Sequence, residues 1–137
     1  MLRPRASHTA GAGVATPAGA RTILVIEDSE PIRRILALLL EGHGYQVVTA
    51  ADGATGLALA RELDPQAITL DLRLPGLDGR AVLQALRQDP RTRATPVLIL
   101  SAYTSLLDEA ERAAATDILA KPFDVDELLS RIAALVG

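Results

Sequence analysis

Two patterns of apolar residues alternate along the chain. Short unbroken apolar runs, each stopped by polar or turn-forming residues, take turns with stretches in which apolar residues recur every three or four positions. Residues 22–26 (Thr-Ile-Leu-Val-Ile) form the first run; it lacks alternation, as a strand covered on both faces does, and ends in Glu27-Asp28-Ser29-Glu30-Pro31. That ending also starts a helix. Ser29 can cap, Pro31 suits a first turn, and Ile32, Ile35, Leu36, Leu39 and Leu40 recur at helical spacing until Gly42 and Gly44. Residues 45–50 read as a second strand, and Asp52-Gly53 turns into a helix through Leu57, Ala58 and Arg61 that stops at Asp64-Pro65.

The third run, Ile68-Thr69-Leu70-Asp71, breaks into a loop containing Leu74-Pro75-Gly76-Leu77-Asp78-Gly79. Asp78 can cap a helix carrying Val82, Leu83 and Leu86 as far as Asp89-Pro90. Residues 96–100 predict a fourth strand ending in Ser101-Ala102, followed by an Ala-rich helix from about residue 106 to 115. Residues 117–120 predict a fifth strand ending in Lys121-Pro122, after which Asp126 and Glu127 open a helix with Leu128, Leu129, Ile132 and Leu135 inward. The order is (βα)5. Such alternation implies a parallel sheet with helices on both faces and right-handed crossovers, and five strands are too few for the eight-stranded barrel. The expected fold is the flavodoxin-like, doubly wound α/β sheet of order 2-1-3-4-5, with its switch point between strands one and three.

Residues 1–20 are mostly Ala, Gly, Thr and Pro without periodicity and read as a disordered leader, leaving residues 21–137 as one domain. The core must be aliphatic, because the only aromatic residues are Tyr45, Tyr103 and Phe123. Nucleic-acid recognition by base stacking is disfavoured on that count. Residues 22–137 carry eleven basic against seventeen acidic residues, a net of −6, which also disfavours binding to a phosphate backbone. The absence of cysteine excludes disulfides, thiolate nucleophiles and Cys-ligated zinc. With no apolar signal-peptide core and no membrane-length apolar window, a cytoplasmic protein is expected.

The predicted strand order lays the carboxyl ends of strands one and three side by side, so Glu27, Asp28 and Asp71 share a pocket. Three adjacent carboxylates repel unless a cation neutralises them. Mg2+ suits such a site, since it binds oxygen, keeps several waters and needs one or two protein carboxylates. The plainer alternative, that Glu27 and Asp28 only cap the first helix, is weakened by Ser29, which can cap by itself. Lys121 is the only lysine among fourteen basic residues, and its place at a strand end points to a site wanting a compact charge. Ser101 adds a hydroxyl on the same rim. Carboxylate, divalent metal, hydroxyl and ammonium together are the parts for phosphoryl transfer onto Asp71, and no general base for rapid hydrolysis is evident.

These residues resemble the receiver domain of bacterial two-component response regulators. The resemblance spans about residues 22 to 137 and rests on Glu27-Asp28, Asp71 with its Leu-Pro-Gly-Leu-Asp-Gly loop, Ser101-Ala102 and Lys121-Pro122-Phe123. It implies Asp71 as phosphoacceptor and Mg2+ bound by Asp28, Asp71 and the backbone carbonyl of Arg73, with Glu27 acting through water. It further implies Ser101 as switch hydroxyl, Lys121 as phosphoryl contact and a cis Lys121-Pro122 peptide. A sensor histidine kinase or histidine phosphotransfer protein would be the donor and a downstream protein the target, with a phosphorylation-dependent dimer left open. The chain ends with its fifth helix, so a stand-alone receiver is expected. Ile118 departs from the family pattern, in which an aromatic often stands three residues before the lysine.

Two rival functions are set against this one. A Mg2+-dependent phosphatase with an Asp nucleophile wants a second acid two residues on, where this chain has Arg73. A flavin mononucleotide carrier wants a Ser/Thr/Gly-rich phosphate loop after strand one, where this chain is acidic.

Overall fold

A computed structural model describes residues 21–137, and the leader expected at 1–20 lies outside the described residues. The strands are β1 (Arg21–Ile26), β2 (Tyr45–Ala50), β3 (Ala67–Leu70), β4 (Val97–Ser101) and β5 (Asp117–Ala120). They alternate with α1 (Glu30–Glu41), α2 (Gly53–Leu63), α3 (Gly79–Gln88), α4 (Glu109–Ala114) and α5 (Val125–Val136). All neighbours pair in parallel, in the expected order β2-β1-β3-β4-β5.

The period-two alternation of a strand sorts consecutive apolar residues onto opposite faces of the sheet. On one face Leu24, Ile26, Ile68, Leu70, Val97 and Ile99 pack with Leu57 and Ala60 of α2 and Val82, Leu83 and Leu86 of α3. On the other, Ile23, Val25, Leu98, Leu100 and Leu119 pack with Leu36 and Leu40 of α1 and Leu128 and Ile132 of α5. Both faces are covered, which is why the strands read as unbroken apolar runs. Along α1 the buried seam is narrow: Ile35 lies about 100° round the helix from Leu36 and is half exposed.

Helix starts follow the polar residues before them. Ser29 accepts from the Ile32 amide, Asp52 from Thr55 and Asp78 from Arg80. At α5 the cap is Asp124, which places Asp126 and Glu127 in the first turn, where carboxylates favour the helix dipole. The helix expected at 106–115 is shorter. Residues Thr104–Leu106 form a 3-10 turn, and α4 begins only at Glu109. The cause is local: Asp108 and Glu111 make a reciprocal capping box, while Leu107 is extended and buried in the core.

Arg87, at the end of α3, binds this edge together. It donates to the carbonyls of Ala114, Thr95 and Arg93 at 2.7, 2.8 and 3.2 Å. Partial burial pushes its pKa down. No helix of the described residues is long and apolar enough to cross a membrane.

The register sets the functional rim. Ile26 lies opposite Leu70, and the Asp71 amide donates to the Ile26 carbonyl at 3.1 Å, so Glu27 and Asp71 leave adjacent strands at the same level. Gly79 closes the loop after Asp71: its amide donates to Leu72 O at 3.0 Å, and a Cβ there would lie 2.1 Å from Asp71 O and 2.6 Å from Leu72 Cα. Both obstacles are backbone and cannot swing aside. Gly79→Ala is therefore expected to cost about 2–3 kcal/mol in urea unfolding, as overpacking against a fixed wall does. Gly42→Ala, whose nearest neighbour would be Leu38 O at 3.3 Å, serves as the near-neutral comparison. Equal midpoints for the two variants would show that the loop has slack.

Candidate functional site

Four side chains meet where β1, β3 and β5 end. The Lys121 Nζ donates to Glu27 Oε1 at 2.6 Å and to Asp71 Oδ2 at 3.0 Å. One carboxylate oxygen from each of Glu27, Asp28 and Asp71 lies within 4.8 Å of the other two. Glu27 and Asp71 are buried, and Asp28 is exposed.

Backbone donors hold the remaining oxygens. The Ser29 amide donates to Glu27 Oε2 at 3.1 Å and the Arg73 amide to Asp71 Oδ1 at 3.3 Å. Burial is the larger influence on Glu27 and pushes its pKa up; the hydrogen bonds from Lys121 and Ser29 oppose this only in part. Burial also works against the Lys121 ammonium, yet the bonds to Glu27 and Asp71 outweigh it and push its pKa up. Among the described residues the Asp28 carboxylate makes no hydrogen bond. Capping of α1 falls to Ser29, which frees both acids of that task.

Ser101 stands on the same rim but not in the cluster. It is buried at the end of β4, opposite Ala120, and its Oγ accepts from the Tyr103 amide at 3.1 Å. Its carbonyl accepts from the Lys121 amide at 3.0 Å, and the Lys121–Pro122 peptide is cis. Ile118 is half buried against the core face shared by α2 and α3.

Three features escape a linear reading. The Arg73 guanidinium lies 4.7 Å from the Tyr103 ring centroid, a cation–π contact joining the loop after Asp71 to the loop after Ser101. The 3-10 turn that follows is held by Arg112, which donates to Thr104 O at 2.8 Å. Arg33 donates to the carbonyls of Glu27 and Asp28 at 2.8 and 3.2 Å. Sequence offers only a weak signal for any of these, since thirteen arginines are spread along the chain.

The shared ammonium makes a stability prediction. Glu27 has a folded pKa above its unfolded value, so its contribution is full below the unfolded value and is lost as pH rises through the folded one. Lys121→Met removes a cause that lowers the Glu27 pKa and leaves ionised Glu27 buried without its partner. In chelator at about pH 7.5, urea unfolding of this variant is expected to show a deficit of about 3 kcal/mol, the low end for breaking a buried pair. The deficit should shrink as pH falls and Glu27, whose pKa is pushed up by burial, takes up a proton. A deficit independent of pH would mean that lost packing, not charge, is responsible.

Comparison with known proteins agrees with this geometry. Residues 23–133 match the family model described as the response regulator receiver domain. The DNA-binding dual master transcriptional regulator RpaA of Synechocystis is 46% identical over 83% of this chain and 48% of its own length. The chain thus spans about half of that regulator. Protein PilH of Pseudomonas aeruginosa is 37% identical over 84% of this chain and 97% of PilH. Among solved structures, the receiver domain of a Pseudomonas aeruginosa sensor histidine kinase, with a magnesium ion coordinated in its active site cleft, is 31% identical with a TM-score of 0.78, covering 86% of this chain and 98% of that one. With the strand order, the acid cluster and the family match in agreement, this chain belongs to the response regulator receiver domain family.

Proposed function

We propose that residues 21–137 act as a receiver unit that takes a phosphoryl group onto Asp71 from a phosphohistidine, on a sensor histidine kinase or a histidine phosphotransfer protein, and signals to a downstream protein by a conformational change. The observation that carries this reading is the arrangement of Lys121, with one ammonium held by both Glu27 and Asp71 at the mouth of the sheet. A lone capping acid would need no such partner.

The donor set suits Mg2+: three carboxylates within 4.8 Å, no nitrogen or sulfur ligand in the cluster, and an exposed Asp28 that leaves room for waters. Asp28, Asp71 and the Arg73 carbonyl are the proposed direct ligands, with Glu27 acting through water. When bound, the ion neutralises charge gathering on the phosphoryl oxygens. An Asp71 oxygen attacks phosphorus as the donor's N–P bond breaks, which leaves an aspartyl phosphate and a free imidazole. Lys121 Nζ, already at Asp71, contacts a phosphoryl oxygen, and the Ser101 hydroxyl donates to another. The Ser101 lone pairs can keep the Tyr103 amide while its proton turns to the phosphoryl group. A pull on Ser101 therefore reaches Tyr103 and the Thr104–Leu106 turn, a route that does not need an aromatic at Ile118.

Several features favour a long-lived phosphorylated state over phosphatase turnover. Arg73 occupies the position where a second acid would serve a hydrolase, and its side chain lies over Tyr103. His43, the one histidine among the described residues, sits at the C-terminal end of α1 with Nδ1 3.0 Å from Leu39 O. A cytoplasmic setting follows from the proposed donors.

Intact-mass analysis after exposure to a small phosphodonor such as phosphoramidate tests this reading. One added phosphate is expected with Mg2+, and none in chelator or in Asp71→Asn. Wild-type labelling of Asp71→Asn, or labelling that ignores chelator, would overturn it.

A further inference from the structure

The three acids of the cluster are not held alike. Glu27 is tied at both carboxylate oxygens, by Lys121 and by the Ser29 amide, and Asp71 likewise by Lys121 and the Arg73 amide. Among the described residues Asp28 has no side-chain tether, so the direction of its carboxylate depends on its backbone.

The Ser29 amide, in the peptide that follows Asp28, is held by Glu27, and the two carbonyls around Asp28 are held by one side chain. Arg33 Nη1 donates to Glu27 O at 2.8 Å and to Asp28 O at 3.2 Å. Neither carbonyl accepts from a backbone amide among the described residues. The two oxygens belong to the peptide planes on either side of the Asp28 Cα, and each plane is rigid. Fixing both planes fixes φ and ψ of Asp28 together, and with them the direction of its Cα–Cβ bond. Arg33 itself stands in the first turn of α1, where its amide donates to Ser29 O at 2.9 Å. The Nη1 donor is thus mounted on the helix that the acid loop enters.

We infer that Arg33 is a positioning residue for the acid cluster: its guanidinium orders the two peptides around Asp28 so that its carboxylate is aimed before a divalent cation arrives. The inference rests on the Mg2+ reading above. It runs against simple electrostatics, because a fixed positive charge beside three carboxylates would by itself oppose a second cation. Ordering and repulsion therefore predict opposite signs when the charge is removed.

Isothermal titration of the metal-free full chain with MgCl2 separates them. Two variants are used: Arg33→Met, which keeps the stem and removes the charge, and Arg33→Lys, which keeps the charge but replaces the planar guanidinium, with its fixed N–H directions, by a rotating ammonium. Positioning predicts weaker Mg2+ binding in both, by about tenfold for Met, the low end for loss of a ligand-orienting partner, and by less for Lys. Amide spectra without metal should show the changes centred on residues 27–33, with the rest of the fold intact. Tighter binding by Arg33→Met with Arg33→Lys unchanged would show a purely electrostatic role, and unaltered binding in both would show none; either overturns the inference while leaving the Mg2+ reading in place. Wild-type protein that binds no Mg2+ would remove both.

Discussion

A single ammonium, that of Lys121, lies between two buried carboxylates delivered by different strands, and much of the site follows from what that sharing requires. Each carboxylate alone would be costly to bury in ionised form. Together, at the ends of adjacent parallel strands, they also repel. The ammonium offsets both effects, at 2.6 Å from Glu27 and 3.0 Å from Asp71, yet the Glu27 pKa remains pushed up by burial. Even with the Arg33 guanidinium close by, two positive charges set against three acids leave the pocket net negative. Such a pocket is stable enough to fold and is still able to take a further cation.

The fold supplies this arrangement through topology more than through local sequence. Order β2-β1-β3-β4-β5 makes β1 and β3 neighbours although α1, β2 and α2 intervene in sequence, and it brings β5 within reach through β4. Apolar packing on both faces holds the strand ends level. The loops beyond those ends are held by a different kind of contact, guanidinium groups on backbone carbonyls: Arg33 on the β1–α1 loop, Arg112 on the turn after Ser101 and Arg87 on the α3–β4 connection. This division suits the proposed receiver role, in which the sheet stays fixed while one rim responds to charge.

The sheet and the meeting of Glu27, Asp28, Asp71 and Lys121 at one rim are legible in sequence because they depend on residue type and order. Unbroken apolar runs show strands covered on both faces, and an acid or lysine at the end of such a run is visible without a structure. What depends on side-chain reach was not legible. Nothing in the spacing of Arg33 shows that it turns back to the carbonyls of Glu27 and Asp28, or that Arg73 lies over Tyr103 instead of in solvent. The length of α4 departs from the sequence expectation for a related reason. Ala110, Ala113, Ala114 and Ala115 favour helix as residues, but the capping box at Asp108 and the burial of Leu107 decide where the helix starts.

Because Lys121 is the only lysine in the chain, its side chain can be observed alone by NMR after lysine-selective isotope labelling. If its ammonium is shared between Glu27 and Asp71, the lysine side-chain resonance will lie away from the free-lysine position in metal-free protein and will move when Asp71 is replaced by Asn or when Mg2+ is added. A resonance at the free-lysine position, indifferent to both changes, would contradict the account at its centre.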